Sequence, residues 1–255
     1  MSPGAIYTPD ERSKGVRLNK RTKHEQETIE DIVNETPILH VSFNAPVQDG
    51  PPFPTILPML GTIGQYGNDE DAHLYLHGSS VARLFKLTDG NEVALCACAT
   101  ILDGYVMALA PFHNSCNYRS AVLFGYGTVV TDEDEIMYGL KLITNNTIPK
   151  RWENSRSPPT KSEMTSTALL KMRIETASHK IRGGGAADER FDLQNPDVVD
   201  KTWTGIVPTY LTLGEPVPSE ENKVKEVPEY MADWVADANS LNEQRAIDAL
   251  EEHRP

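Results

Sequence analysis

The stretch His73 to Leu87, HLYLHGSSVARLFKL, decides how the chain is read. Leu74, Tyr75 and Leu76 are apolar or aromatic in a row and predict a short β-strand. His77-Gly78-Ser79-Ser80 predicts a turn carrying hydroxyls. Val81, Leu84, Phe85 and Leu87 then recur at helical spacing, which places a helix start at the serines. Free backbone N–H groups at such a start, together with the helix dipole, favour an anion, and Arg83 stands in the first turn to add a charged hydrogen bond. The same spacing is met by an ordinary Ser-capped helix with a surface arginine.

Outward from this stretch, composition sets the limits. The 255 residues carry a formal net charge of −13, which argues against a partner with a phosphate backbone and so against nucleic acid. No run approaches the roughly 18 apolar residues of a membrane span, so no membrane is expected. Cys96, Cys98 and Cys116 are odd in number, which fits reduced thiols and a cytoplasmic location better than a disulfide framework. Cys96 and Cys98 alternate on one strand face and read as small packed hydrophobes.

The remaining elements follow from period and punctuation. Residues 1–21 lack periodicity and read as a mobile or loosely docked arm. Ile29, Ile32 and Val33 give a short helix one apolar stripe, ended by Pro37. Ile38 to Phe43 alternates, with Leu39, Val41 and Phe43 on one face. Thr55 to Thr62 is an apolar run whose Pro58 points to an edge or a bulge. Glu92 to Leu102 reads as a strand buried on both faces, Asp103-Gly104 as a tight hairpin turn, and Tyr105 to Ala110 as the returning strand.

Tyr118 to Val130 is the longest strand expected; Gly125 and Gly127 share one face, as if something approaches closely there. Thr131 to Asp134 opens a helix with the stripe Ile136, Met137, Leu140 and Ile143, and Thr160 to Glu163 is a capping box. The pattern turns from helix to strand near Leu169. Lys180 to Asp188, with three glycines, reads as a mobile loop, and Trp203 to Leu213 as a last strand. An acidic linker and a terminal helix from Pro228 to Glu252 close the chain. Six or seven hairpin-linked strands with helices at a few crossovers predict a mainly β fold, a barrel with added helices.

Read together, strand-His77-Gly78-Ser79-Ser80-x-x-Arg83, then Phe112-His113-Asn114-Ser115-Cys116-Asn117-Tyr118-Arg119-Ser120 and a strand reaching Phe124-Gly125, resemble the flavin-binding split-barrel family related to pyridoxamine 5'-phosphate oxidase, and within it the nitroimidazole-resistance branch. Ile148-Pro149, Ile174-Glu175, Lys180-x-Arg182 and Trp203-x-Gly205-x-x-Pro208 follow in the same order. The resemblance runs from about Ile29 to Leu213. It implies a six-stranded split barrel over 22–213 between the arm (1–21) and a helical extension (214–255). It further implies a homodimer with FMN at the subunit interface, and electrons passed from a reductant through FMN to a small-molecule acceptor. The Arg-Leu-x-Pro ending of true pyridoxamine phosphate oxidases is absent, so the vitamin B6 reaction is not assigned.

Carried over to this sequence, His77, Gly78, Ser79 and Arg83 would face the ribityl phosphate. Pro58, Met59, Leu60, Gly61 and Thr62 would run along the ring edge. Tyr118, Arg119 and Ser120 would contact phosphate or ring. Lys180 and Arg182 would meet the cofactor phosphate or a second substrate from a loop that closes over it, with Trp203 flanking the ring. Some relatives of this fold bind haem, and His40, His73, His77, His113 and His179 are the possible axial ligands of that alternative, a protein that sequesters flavin or haem without turnover.

Overall fold

The structure, a computed structural model, describes residues 4–17, 19–51 and 53–251. In chain order the strands and helices are β1 (Thr22–Lys23), α1 (Gln26–Glu35), β2 (Leu39–Asn44), β3 (Pro54–Met59), β4 (Gly61–Gly64), β5 (His73–Ser79), α2 (Arg83–Leu87), β6 (Val93–Met107), β7 (Ser115–Val129), α3 (Glu133–Thr147), α4 (Lys161–Ser166), β8 (Thr167–Arg182), α5 (Arg190–Leu193), α6 (Pro196–Val199), β9 (Gly205–Pro208) and α7 (Glu229–Asp248). Short 3-10 turns lie at Asn19–Arg21 and Pro111–His113. The fold is mainly β, as expected, but the strands form one nine-stranded sheet in the order β3-β2-β6-β7-β8-β5-β4, with β1 added to β8 and β9 to β6.

The chain divides into two compact units. One holds residues 1–100 and 120–179, the other 101–119 and 180–255. In the first, α1 buries Ile29, Ile32 and Val33. Each such side chain contributes about 1.5–3 kcal/mol by leaving water. Thr36 ends the helix by donating its hydroxyl to Ile32 O at 2.6 Å. β2 buries Leu39, Val41 and Phe43 and turns His40 and Ser42 to the other face, the alternation read from the sequence. The run Thr55 to Thr62 is interrupted at Leu60, giving β3 and β4 in place of one strand; Pro58 falls on β3, at the end of the strand order, the edge position its sequence signal pointed to.

The long helix α3 starts at Asp132, whose carboxylate accepts from Glu135 N at 2.8 Å. Gly139 lets it approach the sheet, because a Cβ there would fall 2.4 Å from Leu169 Cδ2. The capping box on α4 is present as expected, with Thr160 and Glu163 exchanging bonds. The first described residues are tied to this unit. Ser13 is buried and its hydroxyl lies 2.7 Å from Thr176 Oγ1, while Thr176 donates to Thr8 O at 2.9 Å.

Three expectations are overturned. No hairpin forms at Asp103-Gly104, because β6 runs straight through it. Gly104 pairs with Pro208 of β9, and Asp103 O accepts from Thr209 N at 3.0 Å, so a partner strand holds extended what local turn preference would bend. The strand expected over Trp203 to Leu213 shrinks to β9, because 209–213 bonds to α7. Asn239 takes both backbone groups of Leu213, at 2.7 and 2.9 Å, and Asn242 donates to Leu211 O at 2.9 Å. The loop from Lys180 to Asp188 is not free. β8 extends to Arg182, Gly184 N donates to Ala249 O at 2.9 Å, and the Asp188 carboxylate accepts from Leu109 N at 2.8 Å.

Candidate functional site

β5 positions the first group of site residues. It pairs with β4 from Gly61↔Leu76 to Gly64↔His73, and with β8 from Leu74↔Met172 to Ser79↔Thr167. Covered on both faces, Leu74, Tyr75 and Leu76 are buried. His77, half-buried, lines a cavity of about 230 Å³ with Leu140 and Thr144 of α3, Trp152, and Glu163 and Met164 of α4. Burial pushes the His77 imidazole below its usual pKa, so at neutral pH it is uncharged and presents one donor and one acceptor nitrogen.

The turn and helix expected from His77 onward come later, with Ala82 N donating to Ser79 O at 2.9 Å to close a turn over Ser80 and Val81. His77, Gly78 and Ser79 continue β5, and α2 begins only at Arg83, after an extended Ala82 with no side-chain cap. The reason is pairing with β8: each residue through Ser79 has a strand partner, and Ser80 N donates to Ser166 O at 3.0 Å. Gly78 is required because a Cβ would sit 2.6 Å from the Phe85 ring. Exposed Arg83 donates to Pro46 O.

Pro58 and Met59 lie on β3 opposite His40 and Leu39, and Leu60 leads into β4. Gly61 and Thr62 stand opposite Leu76 and Tyr75, so β4 brings this segment beside the strand of His77. A Cβ on Gly61 would lie 2.8 Å from Tyr75 O. The Thr62 hydroxyl is committed to Asn34 Oδ1 at 2.8 Å. Ser120 is half-buried on β7.

In the second unit, Arg119 of β7 grips the buried Asp103 carboxylate, Nη2 to Oδ1 at 2.9 Å and Nε to Oδ2 at 3.1 Å. Arg182 at the end of β8 donates to Asn117 and to Gly185 O. Arg119 and Arg182 share a cavity of about 180 Å³ with Asp103, Gly183, Arg245 and Asp248. Tyr118 and Lys180 are half-buried nearby in sequence; Trp203 is exposed, its ring against Gly205. Sequence reasoning missed Asp103, taken as a turn residue, and Arg245, whose only signal was a basic residue in the last turn of a helix. Trp152 and Met164 gave no signal, because they reach the His77 cavity from segments remote in sequence.

The other histidines differ in their surroundings. His40 is exposed. His73 Nδ1 lies 3.7 Å from the Asp69 carboxylate. His113 Nδ1 is 2.6 Å from Ala187 O, and His179 Nε2 is 2.8 Å from Glu25 Oε2.

Residues 25–181 match the family model of pyridoxamine 5'-phosphate oxidase. Among solved structures, the flavocytochrome Anf3 from Azotobacter vinelandii is similar at 29% identity with a TM-score of 0.74, covering 89% of this chain and 98% of its own. The FAD and heme binding protein from Mycobacterium smegmatis is similar at 26% identity with a TM-score of 0.69, covering 84% and 97%. No curated protein matches the chain.

Proposed function

The chain belongs to the pyridoxamine 5'-phosphate oxidase family, and from that premise we propose that it is a flavin-binding redox protein that passes electrons from a reductant to a small-molecule acceptor. One observation carries this reading. The two similar structures are matched over 98% and 97% of their own lengths, and one is named a flavocytochrome, the other an FAD and heme binding protein. FMN on a six-stranded split barrel, as in the nitroimidazole-resistance branch, is the form that the sequence motifs favour. FAD is a second reading, favoured by the name of the Mycobacterium smegmatis protein.

His77 is the residue we assign to the cofactor first. A half-buried, uncharged imidazole on a cavity wall beside Trp152, Met164 and Leu140 suits a flat aromatic ligand, as hydrogen-bond donor or acceptor at its edge. The cavity of about 230 Å³ is smaller than the ~300–1,000 Å³ of typical small-molecule sites. One chain therefore holds part of a flavin nucleotide, which supports a cleft shared by two copies. A half-exposed sheet face is available for that pairing, where Ser42, Cys96, Phe124 and Tyr126 line a cavity of about 260 Å³ and Ile56 of β3 is 60% exposed. When bound, the flavin supplies the electron transfer. The chain orients it and keeps His77 uncharged against it. Haem is the other reading, favoured by both similar structures, and His77 is again the first choice, since it combines an uncharged ring with a cavity wall. The three free thiols agree with a cytoplasmic location.

The test is the absorption spectrum of the purified protein, followed by mass identification of the ligand released by acid. Flavin bands with FMN or FAD in the extract support the reading, and a Soret band adds haem. A colourless protein whose melting temperature neither flavin nor haem raises would overturn it.

A further inference from the structure

The first unit contains a polar and aromatic cluster made of residues other than those assigned to the cofactor. Tyr75, fully buried on β5, donates its hydroxyl to Glu135 Oε1 at 2.7 Å. Glu135 shares Lys171 with Asp69, each at 2.7 Å from Nζ. The Tyr75 ring meets Tyr138 of α3 edge-on, with centroids 5.7 Å apart, and Tyr138 meets Tyr66 at 5.3 Å. Tyr138 donates to Gln65 O at 2.9 Å, and the Tyr66 hydroxyl points to Asp132 Oδ1 at 3.5 Å. The three rings run from a residue with no exposure to one that is half-exposed.

This order is chemically uneven. The two end phenols each face a carboxylate, which can take a phenolic proton, whereas the middle phenol faces a carbonyl, which cannot hold one. An oxidised tyrosine is therefore stabilised at either end and only passed through in the middle. Burial pushes all three phenols above their ordinary pKa, which keeps them protonated and able to donate until oxidised. Tyr75 also lies two residues from His77 on the same face of β5, and Leu140 both lines the His77 cavity and packs against the Tyr75 cluster.

We propose that Tyr75, Tyr138 and Tyr66 form a relay that moves an oxidising equivalent between the interior beside His77 and the protein surface. Each step balances. A one-electron oxidant gains an electron, Tyr66 loses it, and the Tyr66 proton goes to Asp132. Tyr138 then returns an electron to Tyr66, which recovers its proton from Asp132, while Tyr138 keeps its own proton on the bond to Gln65 O and is refilled from Tyr75 in the same step. Tyr75 thereby gives an electron to Tyr138 and its proton to Glu135, leaving a neutral phenoxyl radical at Tyr75. Run in reverse, the relay would carry an oxidising equivalent to the surface from a redox group held at the His77 site. Only that source rests on the redox reading above; the relay itself does not.

The experiment supplies its own oxidant, a ruthenium polypyridyl complex photo-oxidised in free solution, and uses the full-length purified protein. Tyr75→3-aminotyrosine places an easily oxidised trap where the complex has no access. An aminotyrosyl radical should appear in freeze-quenched electron paramagnetic resonance and fall to background when Tyr138→Phe is added, with near-ultraviolet circular dichroism unchanged. An equal radical yield with and without Tyr138 would overturn the relay. If the trap prevents folding, natural side chains decide the matter. The Tyr75 phenoxyl pattern should be present in the unaltered chain and absent in Tyr138→Phe, while the Tyr66 pattern survives. A spectrum unchanged by Tyr138→Phe again overturns it. Neither outcome depends on whether flavin or haem is found.

Discussion

Asp103, 3% exposed in the middle of β6, is held by Arg119 of β7 through bonds of 2.9 and 3.1 Å. Two nearly parallel N–H···O bonds to a buried carboxylate fix the guanidinium plane as well as its charge. Removing the carboxylate leaves a largely buried cation behind, and that desolvation cost exceeds the worth of the intact pair. Asp103→Ala should lower stability by about 3 kcal/mol, read from urea denaturation. A change below about 0.5 kcal/mol, as at an ordinary surface site, would mean that the pair is incidental.

Acid should destabilise the chain through its histidines. Burial lowers the pKa of His73, aided by Lys171, and of His77; it also lowers that of His179, where it outweighs the Glu25 carboxylate. Among the described residues the buried Nδ1 of His179 has no hydrogen-bond partner, so a proton added there meets no compensating acceptor. Unfolded histidine titrates near pH ~6.5. Below that value the unfolded chain binds protons that the folded chain refuses, so the unfolding free energy falls as pH drops, and above it these groups contribute no slope. Urea midpoints should be flat above pH ~7 and decline through pH ~6.5. His77→Gln should make the decline shallower, and an identical profile in that variant would exclude His77 as a contributor.

Substitutions at His77 and Arg83 separate the two ends of the proposed flavin site. If Arg83 contacts the phosphate, Arg83→Ala weakens flavin binding by about 1.5–3 kcal/mol, the worth of a charged hydrogen bond. The loss should appear with FMN and be absent with riboflavin, which has no phosphate, in a fluorescence titration. If His77 meets the ring edge, as proposed, and not the phosphate to which the motif assigns it, His77→Ala should weaken both equally. Equal losses for FMN and riboflavin in Arg83→Ala would remove Arg83 from the phosphate.

How far the sequence was legible depended on whether local signals had competitors. α1, the α3 start at Asp132, the Thr160–Glu163 box and the alternation of β2 all appear where period and capping residues place them, because each is stabilised within its own segment. Asp103-Gly104 and His77 to Ser79 carry equally good turn signals and are extended, because β9 and β8 supply the partners that local preference cannot foresee. The site divides in the same way. His77 and Arg119 were legible as motif residues, but Asp103, Trp152 and Met164 reach them only through tertiary pairing.

Two glycines on β7 were legible as places of close approach, and the structure distinguishes their neighbours. A Cβ at Gly125 would lie 1.9 Å from Arg173 O, a main-chain atom of β8 that moves only if the strand moves. At Gly127 the nearest atoms are Leu95 Cδ1 at 2.5 Å and Leu170 Cδ2 at 2.8 Å, ends of side chains that can rotate. Overpacking that side chains absorb costs roughly 1–3 kcal/mol, and overpacking against backbone costs more. Gly127→Ala should therefore fold with a modest loss, about 1–2 kcal/mol in urea denaturation. Gly125→Ala should lose more than about 3 kcal/mol or fail to accumulate as folded protein. Equal stabilities for the two variants would mean that β7 and β8 can separate at Arg173 without cost, contrary to the close approach of their backbones.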